Sequence, residues 1–371
     1  MARPLTVMQL LPALESGGVE RSTLEVTQAL VQAGHRAVVV SAGGRLVPDI
    51  EAAGGIHLRL EIGRKSPRVL AQVPRLRRLI AQHQPDIVHA RSRLPAWIGW
   101  LAMRGLGSAR PAFVTTVHGL NSVSGYSAIL TRGERVICVS DTVRQHVLAN
   151  YPRVDPQRLR VIERGIDAAA FPRGYRADPA WRDAFHREHP ALSGRPWWVL
   201  PGRGTRLKGH LDAIELIARL RAQGHDLALL LQGVVEAGRE RYLEELRARI
   251  HAHGITDAVV LAPPRPDIRE VMSESFAVLQ LSNKPEAFGR TVVEALSLGK
   301  PVLGWAHGGV GELLARGFPE GAIALGDHEQ LLARALSWRA QAPQPAPWDA
   351  FSLAQMQAAV LDVYQEVQGG D

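Results

Sequence analysis

The stretch WWVLPGRGTRLKGHLDAIELIARLRA, residues 197–222, reads as one β-α unit. Residues 197–200 form an apolar strand, residues 209–222 a helix, and glycines and cations fill the loop between them. The rhythm continues on both sides. Downstream, strands at 227–231, 258–261, 277–281 and 301–304 alternate with helices at 239–251, 268–272 and 290–298. Upstream, strands at 5–11, 37–40, 56–60, 87–89, 113–116 and 136–139 alternate mostly with helices at 19–33, 69–82, 96–103 and 142–149. Strands separated by helices imply parallel sheets with helical crossovers, so the fold class is α/β.

The rhythm stops between about 167 and 196, where Pro172, Gly174, Pro179, Pro190 and Gly194 are scattered among charges. That stretch reads as a linker. The expected architecture is two Rossmann-like, doubly wound domains facing across a cleft: residues 1–172, a linker at 173–195, and residues 196–347. A proline-rich bridge at 342–347 precedes a last helix, about 353–367, in the segment 348–371. That helix is expected to pack back on the N-terminal domain. A length of 371 residues suits two such domains.

The composition, 46% hydrophobic and 22% charged, is that of a globular chain with substantial cores. The single cysteine, Cys138, lies in an apolar run and reads as a core thiol, which excludes an internal disulfide framework and fits a reducing compartment. The start of the chain reads as a strand rather than a secretory signal, and no apolar stretch reaches the length of a membrane span. The expectation is a cytoplasmic protein, at most peripheral on the inner face of the cytoplasmic membrane.

The net charge of +8 is unevenly spread. Residues 1–172 hold 22 Lys and Arg against 12 Asp and Glu, and the remainder is slightly acidic. Arg64, Lys65, Arg68, Arg75, Arg77 and Arg78 follow one another with no acid between them. Three readings stand: a solvated helix face, a contact with anionic lipid headgroups, and a nucleic-acid contact. The last has no interleaved aromatics and no recognised motif behind it, so no nucleic acid is expected as a partner.

Four motifs can carry chemistry. Glu15-Ser16-Gly17-Gly18-Val19-Glu20 joins the first strand to the first helix, where backbone N–H groups suit a phosphate; a tight structural turn explains Gly17 and Gly18 equally well. Thr115-Thr116-Val117-His118-Gly119 sits at a strand's carboxyl end, where α/β sheets bind ligands. His118 there can hydrogen-bond a substrate hydroxyl or be satisfied by neighbouring backbone; His89 is a weaker candidate of the same kind. In the loop at 201–209, Arg203 and Lys208 can clamp a diphosphate, or the loop is a basic surface turn. Lys208 is one of only four lysines in an arginine-rich chain. Finally, Pro285-Glu286-Ala287-Phe288-Gly289-Arg290-Thr291-Val292-Val293-Glu294-Ala295 places two carboxylates around a helix start. Each can accept paired hydrogen bonds from vicinal hydroxyls. Glu286 also fits an ordinary helix-start role, but Glu294, inside an apolar segment, is harder to explain that way.

These residues, in this order, resemble the family 4 glycosyltransferases, which are retaining enzymes of the GT-B fold. The resemblance runs from Gly17-Gly18 to Glu312. It rests on Glu286, seven intervening residues and Glu294, with Phe288-Gly289 between them and Gly308-Gly309-Val310-Gly311-Glu312 downstream. It implies a nucleotide-sugar donor, a UDP- or GDP-sugar, and a glycan or lipid-linked acceptor. By the same resemblance Gly17 and Gly18 meet the donor, His118 contacts the transferred sugar, and Arg203 and Lys208 bind the diphosphate. Glu286 holds sugar hydroxyls, Ala287, Phe288 and Gly289 add contacts, Glu294 holds the ribose, and the base lies near Pro264 and Arg265. His118, Arg203, Lys208 and Glu286 are the implied catalytic set. No cofactor and no essential metal are expected; the basic clamp takes the place of a cation.

Two departures matter. Family members often carry Asn-Gly-Val-Asp before the linker, whereas this chain has Arg164-Gly165-Ile166-Asp167, which implies altered contacts at a hinge. The segment Val88-His89-Ala90-Arg91-Ser92-Arg93-Leu94-Pro95-Ala96-Trp97 resembles enzymes of lipopolysaccharide-core or envelope-polysaccharide synthesis. Two other functions compete: a nucleotide-sugar 2-epimerase of related fold, against which the Glu286–Glu294 pattern argues, and a non-enzymatic module binding nucleotide or an anionic polymer.

Overall fold

The computed structural model describes residues 3–369 except 16, 108, 109 and 349. The chain divides into two compact units, residues up to Gly165 together with those from Leu353, and Ile166–Ser352.

In the first unit, seven strands form one parallel sheet: β1 (Thr6–Leu10), β2 (Arg36–Ser41), β3 (Ile56–Arg59), β4 (Ile87–Ala90), β5 (Ala112–Val117), β6 (Arg135–Cys138) and β7 (Leu159–Val161). The order is β3-β2-β1-β4-β5-β6-β7. Crossovers run through α1 (Gly18–Gln32), α2 (Val47–Ala52), α3 (Val73–His83), α4 (Arg93–Met103) and α5 (Asp141–Asn150). The inner strands are mostly apolar on both faces, as a sheet covered by helices requires. Cys138 is fully buried on β6, and burial pushes its thiol up to about 12.

The second unit holds β8 (Trp197–Pro201), β9 (Ala228–Gln232), β10 (Val259–Ala262), β11 (Ala277–Gln280), β12 (Val302–Trp305) and β13 (Ala322–Ile323), again all parallel, in the order β10-β9-β8-β11-β12-β13. Its helices are α6 (Pro179–Glu188), α7 (His210–Ala222), α8 (Glu240–Ala252), α9 (Ile268–Glu274), α10 (Arg290–Ser297), α11 (Gly308–Gly317) and α12 (His328–Ala340). In each sheet the order reverses once, between β1 and β4 and between β8 and β11. Loops at the carboxyl ends of such a pair splay apart and leave a crevice.

The expected linker at 173–195 is not one. It carries α6, which starts with Pro179 in its first turn and Asp178 as cap, the carboxylate accepting from Ala180 N at 2.8 Å. Trp181 stacks on Phe185 at 4.8 Å and Phe185 packs on Trp197, tying the segment to the second unit's core. The division also falls earlier than residue 172. Ile166 N–H donates to Phe351 O at 2.9 Å, and Phe171 is buried in the second unit.

The last helix, α13 (Leu353–Glu366), belongs to the first unit. Met356, Val360, Val363 and Tyr364 form one apolar stripe against Leu5, Val26, Leu30 and Ile162. Glu366 pairs with Arg160 and Arg135, both at 2.8 Å, and these guanidiniums hold its carboxyl below the usual range. The Tyr364 hydroxyl meets His89 Nδ1 at 2.7 Å, and His89 Nε2 meets Thr116 Oγ1 at 2.7 Å. Both His89 nitrogens are thus engaged in the core, so His89 is a structural residue, not a substrate contact.

Tyr364→Phe keeps the ring and removes the partner of a buried imidazole nitrogen. Urea unfolding should show a loss of roughly 1–3 kcal/mol. An unchanged midpoint would mean that the Tyr364–His89 contact does not help to hold α13.

Candidate functional site

In the second unit, the loops after β8 and β11 are pressed together. Gly209 has φ +73°, and a Cβ there would lie 1.8 Å from Leu281 O. Only glycine lets the chain turn left-handed at that spot while touching the neighbouring loop. Asn283 N–H donates to Leu207 O at 2.9 Å and locks the two loops in register. The close approach delivers Lys208, at the end of a short turn of 3₁₀ helix, against Glu286. Lys208 Nζ lies 2.7 Å from Glu286 Oε1, both side chains about a quarter exposed.

Glu286 is fixed from several sides. Ser282 Oγ donates to its carboxylate, and its own carbonyl accepts from Gly309 N–H at 2.8 Å. His307, which precedes α11, meets Ser282 O at 2.6 Å through Nε2. Gly289, at φ +112°, opens α10, and a Cβ there would press on Val310 at 2.9 Å. Three helices, α7, α10 and α11, therefore begin at the carboxyl ends of β8, β11 and β12. A helix start carries N–H groups without intrahelical partners and a partial positive charge, which suits an anion; in α11 the Gly309 N–H is already spent on Glu286 O. Arg203 is exposed on the same loop as Lys208.

Other expected residues are placed differently. Phe288 is buried and packs edge-on against Phe351 at 5.6 Å, so its ring belongs to the core. Ala287 is half-buried beside it. Glu294 is buried on α10 with Arg290 Nε at 2.9 Å. Arg265 grips Asp267 through two bonds of 2.7 and 2.8 Å and lies over the Phe185 ring, so its guanidinium serves the fold around α6. His210 is buried at the start of α7. Burial, then the Lys208 charge, push it down to about 4.

Gly17, Gly18 and His118 lie in the first unit. Gly17 caps α1 and Gly18 is its first residue, both exposed; Ser16 lies outside the described residues. His118 follows β5. Arg164 donates to its Nδ1 and to Ser22 Oγ. A guanidinium can only donate, so Nδ1 is the acceptor and the proton sits on Nε2. That Nε2 is shielded and has no hydrogen-bond partner. Burial and the charges of Arg164 and Arg91 hold the ring well below its usual pKa, hence neutral. Arg164, the residue that departs from Asn-Gly-Val-Asp, thus orients His118.

Arg91, Ser282 and Arg290 were not among the expected site residues. Arg290 had a signal in its four-residue spacing to Glu294. Of the six cations at 64–78, Arg77 is committed to the end of α4, donating to Ala102 O at 3.0 Å. Arg64, Lys65, Arg68, Arg75 and Arg78 are exposed, with Leu70 more than half exposed among them.

Residues 16–170 match the family model for Glycosyltransferase Family 4, and residues 182–345 that for Glycosyl transferases group 1. The D-inositol 3-phosphate glycosyltransferase of Salinispora arenicola is 26% identical, the match covering 87% of this chain and 79% of that protein. The crystal structure of a glycosyltransferase from Rickettsia africae superposes with a TM-score of 0.88 at 27% identity, covering 100% of both chains. An Anabaena protein crystallised with UDP and glucose shares the fold, with a TM-score of 0.76 at 18% identity over 98% of this chain and 100% of that one.

The neutral histidines set a pH dependence. In the unfolded chain, imidazole protonates near pH 6.5. His89, His118 and His210 resist protonation when folded. Protons then favour the unfolded state, and stability falls with pH from about 6.5 toward 5, by up to about 1.4 kcal/mol per pH unit for each such histidine. Urea titrations at steps across that window should show the slope, and His210→Gln should reduce it by the share of one histidine. A flat profile would contradict the neutral assignment.

Proposed function

Because the chain belongs to the family 4 glycosyltransferases, enzymes of the GT-B fold, we propose that it transfers a hexosyl group from a UDP- or GDP-sugar to a glycan or lipid-linked acceptor, with retention at the anomeric carbon. The observation that carries this reading is the Lys208–Glu286 contact, a cation and a carboxylate joined at 2.7 Å beside three helix starts. A nucleotide-sugar asks for that combination: positive charge for the diphosphate and a carboxylate for sugar hydroxyls.

In this reading Arg203, Lys208 and the N–H groups of α7 and α10 hold the diphosphate. Glu286 orients the sugar and Glu294 receives the ribose. The neutral His118 offers its Nε2–H to a sugar oxygen. The bond between the anomeric carbon and the β-phosphate oxygen breaks, and its electron pair leaves with the nucleoside diphosphate. The acceptor oxygen bonds to the same face of that carbon and passes its proton to the departing phosphate oxygen. Lys208 and Arg203 stabilise the charge that grows there, so no metal is invoked. UDP-sugars are the first donors to test, since the Anabaena structure of this fold holds UDP.

The acceptor side is assigned to envelope polysaccharide or lipopolysaccharide synthesis, from the segment 88–97 and the cations at 64–78. Among the described residues, no helix is long and apolar enough to cross a membrane. Arg64, Lys65, Arg68, Arg75 and Arg78 would instead hold the protein on anionic headgroups, with Leu70 entering the interface.

Lys208→Ala should lower kcat by about 10²–10³ while the circular dichroism spectrum stays unchanged. Release of nucleoside diphosphate from UDP- and GDP-sugars reads this out, and a folded, fully active variant would sink the assignment. Binding to anionic vesicles, read by sedimentation, should weaken about thirtyfold in Arg75→Glu/Arg78→Glu, at about 1 kcal/mol per lost surface cation. Equal binding to neutral vesicles would remove the electrostatic argument.

A further inference from the structure

The turn that carries Lys208 is held by little of its own. Residues Arg206–Lys208 form a single turn of 3₁₀ helix with no buried side chain, and Leu207 is 49% exposed. So short a piece is weakly fixed by its own hydrogen bonds. Arg206 ties the outer flank to α8, donating to Glu245 and lying over the Tyr242 ring at 5.4 Å. The Lys208 stem runs over Gly202, where a Cβ would lie 3.2 Å from it. Neither contact sets how far the turn stands from the β11 loop, and that distance decides whether the ammonium reaches Glu286.

Asn283, on the β11 loop, meets the turn on both sides of Lys208. Its backbone N–H donates to Leu207 O at 2.9 Å. Its side-chain amide reaches Asp212, in the first turn of α7. A carboxylate only accepts, so the amide nitrogen faces it. Asn283 Nδ2 then donates to Asp212 Oδ2 at 2.8 Å and to Leu281 O at 3.2 Å. Leu281 O is the same carbonyl that Gly209 approaches. Asp212 is itself anchored. Trp305, buried at the end of β12, donates from Nε1 to Asp212 Oδ2 at 3.3 Å, and His328 packs edge-on against the Trp305 ring at 5.4 Å. Burial raises the Asp212 carboxyl, and the Trp305 donor, the nearby His328 and the Asn283 donor oppose that rise. One carboxylate thus gathers β12, α7 and the β11 loop. On its own loop, Asn283 directly follows Ser282, whose hydroxyl donates to Glu286.

We infer that Asn283 is a positioning residue for the donor site: bonded to the phosphate loop at Leu207 and at Asp212, it holds the Lys208 ammonium against Glu286. The inference rests on the glycosyl-transfer reading above and adds what sets the spacing between the cation for the diphosphate and the carboxylate for the sugar. Asn283 itself is exposed and touches neither charge. Its effect on turnover therefore passes through Lys208.

The chain holds only four lysines, Lys65, Lys208, Lys284 and Lys300, so a spectrum of the full chain carrying lysine labelled with carbon-13 at Cε resolves each of them. The signal lost in Lys208→Ala is that of Lys208. In Asn283→Ala it should move toward the position of a free lysine while Lys65 and Lys300 stay in place. Release of nucleoside diphosphate from the accepted donor should fall about tenfold, as for the loss of one hydrogen bond to a charged group. Asp212→Ala should reproduce that loss. Adding Asn283→Ala to Lys208→Ala should cost nothing further, because the two act as one unit. Circular dichroism checks folding, and Asn283→Ser carries the same measurements if the alanine variant unfolds. An unmoved Lys208 signal, losses that multiply in the double variant, or a fully active Asp212→Ala overturns the inference. Absence of turnover with every UDP- and GDP-sugar in the unsubstituted chain strikes the donor reading instead, and the Lys208 signal then decides the positioning role on its own.

Discussion

The contact of Gly209 with the Leu281 carbonyl is the constraint on which the donor side depends. Any side chain at 209 would force the β8 loop away from the β11 loop. With the loops apart, Lys208 and Glu286 would be two surface charges, each worth little. Pressed together, they make a charge pair whose backbone is fixed by Gly309 and whose carboxylate is fixed by Ser282. Parallel strands β8 and β11 are neighbours, with Val199 opposite Val278, while their helices diverge. The sheet order therefore creates the space, and the glycines let backbone line it.

The first unit repeats the arrangement with different chemistry. β1 and β4 are neighbours at its reversal, Gln9 opposite His89. Gln9 and Ser22 receive Arg91, Ser22 also receives Arg164, and Arg164 turns His118. The result is a chain of polar groups from the centre of the sheet to its carboxyl edge. Because burial keeps His118 neutral, that edge offers an imidazole N–H rather than a third positive charge. One unit thus presents cation and carboxylate, and the other presents guanidinium and neutral imidazole.

Much of this was legible in the sequence, for a physical reason. Buried parallel strands are nearly continuous apolar runs, and loops that approach ligands need glycine, so strands, loops and Lys208, Glu286 and Gly289 could be read directly. What escaped reading depends on tertiary contact. Pro179 seemed to mark a linker, but proline in a first helical turn after Asp178 is also a helix start, and only the packing of Phe185 on Trp197 decides between them. The strands β7 and β13, of three and two residues, are too short to carry a pattern. His89 and His118 look alike in the sequence, each near the carboxyl end of a strand. Tyr364, 275 residues away, engages one, and Arg164 leaves an N–H of the other unspent. Arg164 departed from the family pattern and proved to be a partner of His118; the departure itself was the signal.

The central claim is that this chain breaks the sugar–phosphate bond of a nucleotide-sugar and retains the configuration of the anomeric carbon. Proton NMR of the full chain incubated with UDP- and GDP-sugars, without acceptor, tests it most directly. The account predicts slow release of nucleoside diphosphate from one of them and a first-formed free sugar with the donor's own anomeric configuration. A sugar inverted at C2, or a first product of opposite anomeric configuration, would contradict it.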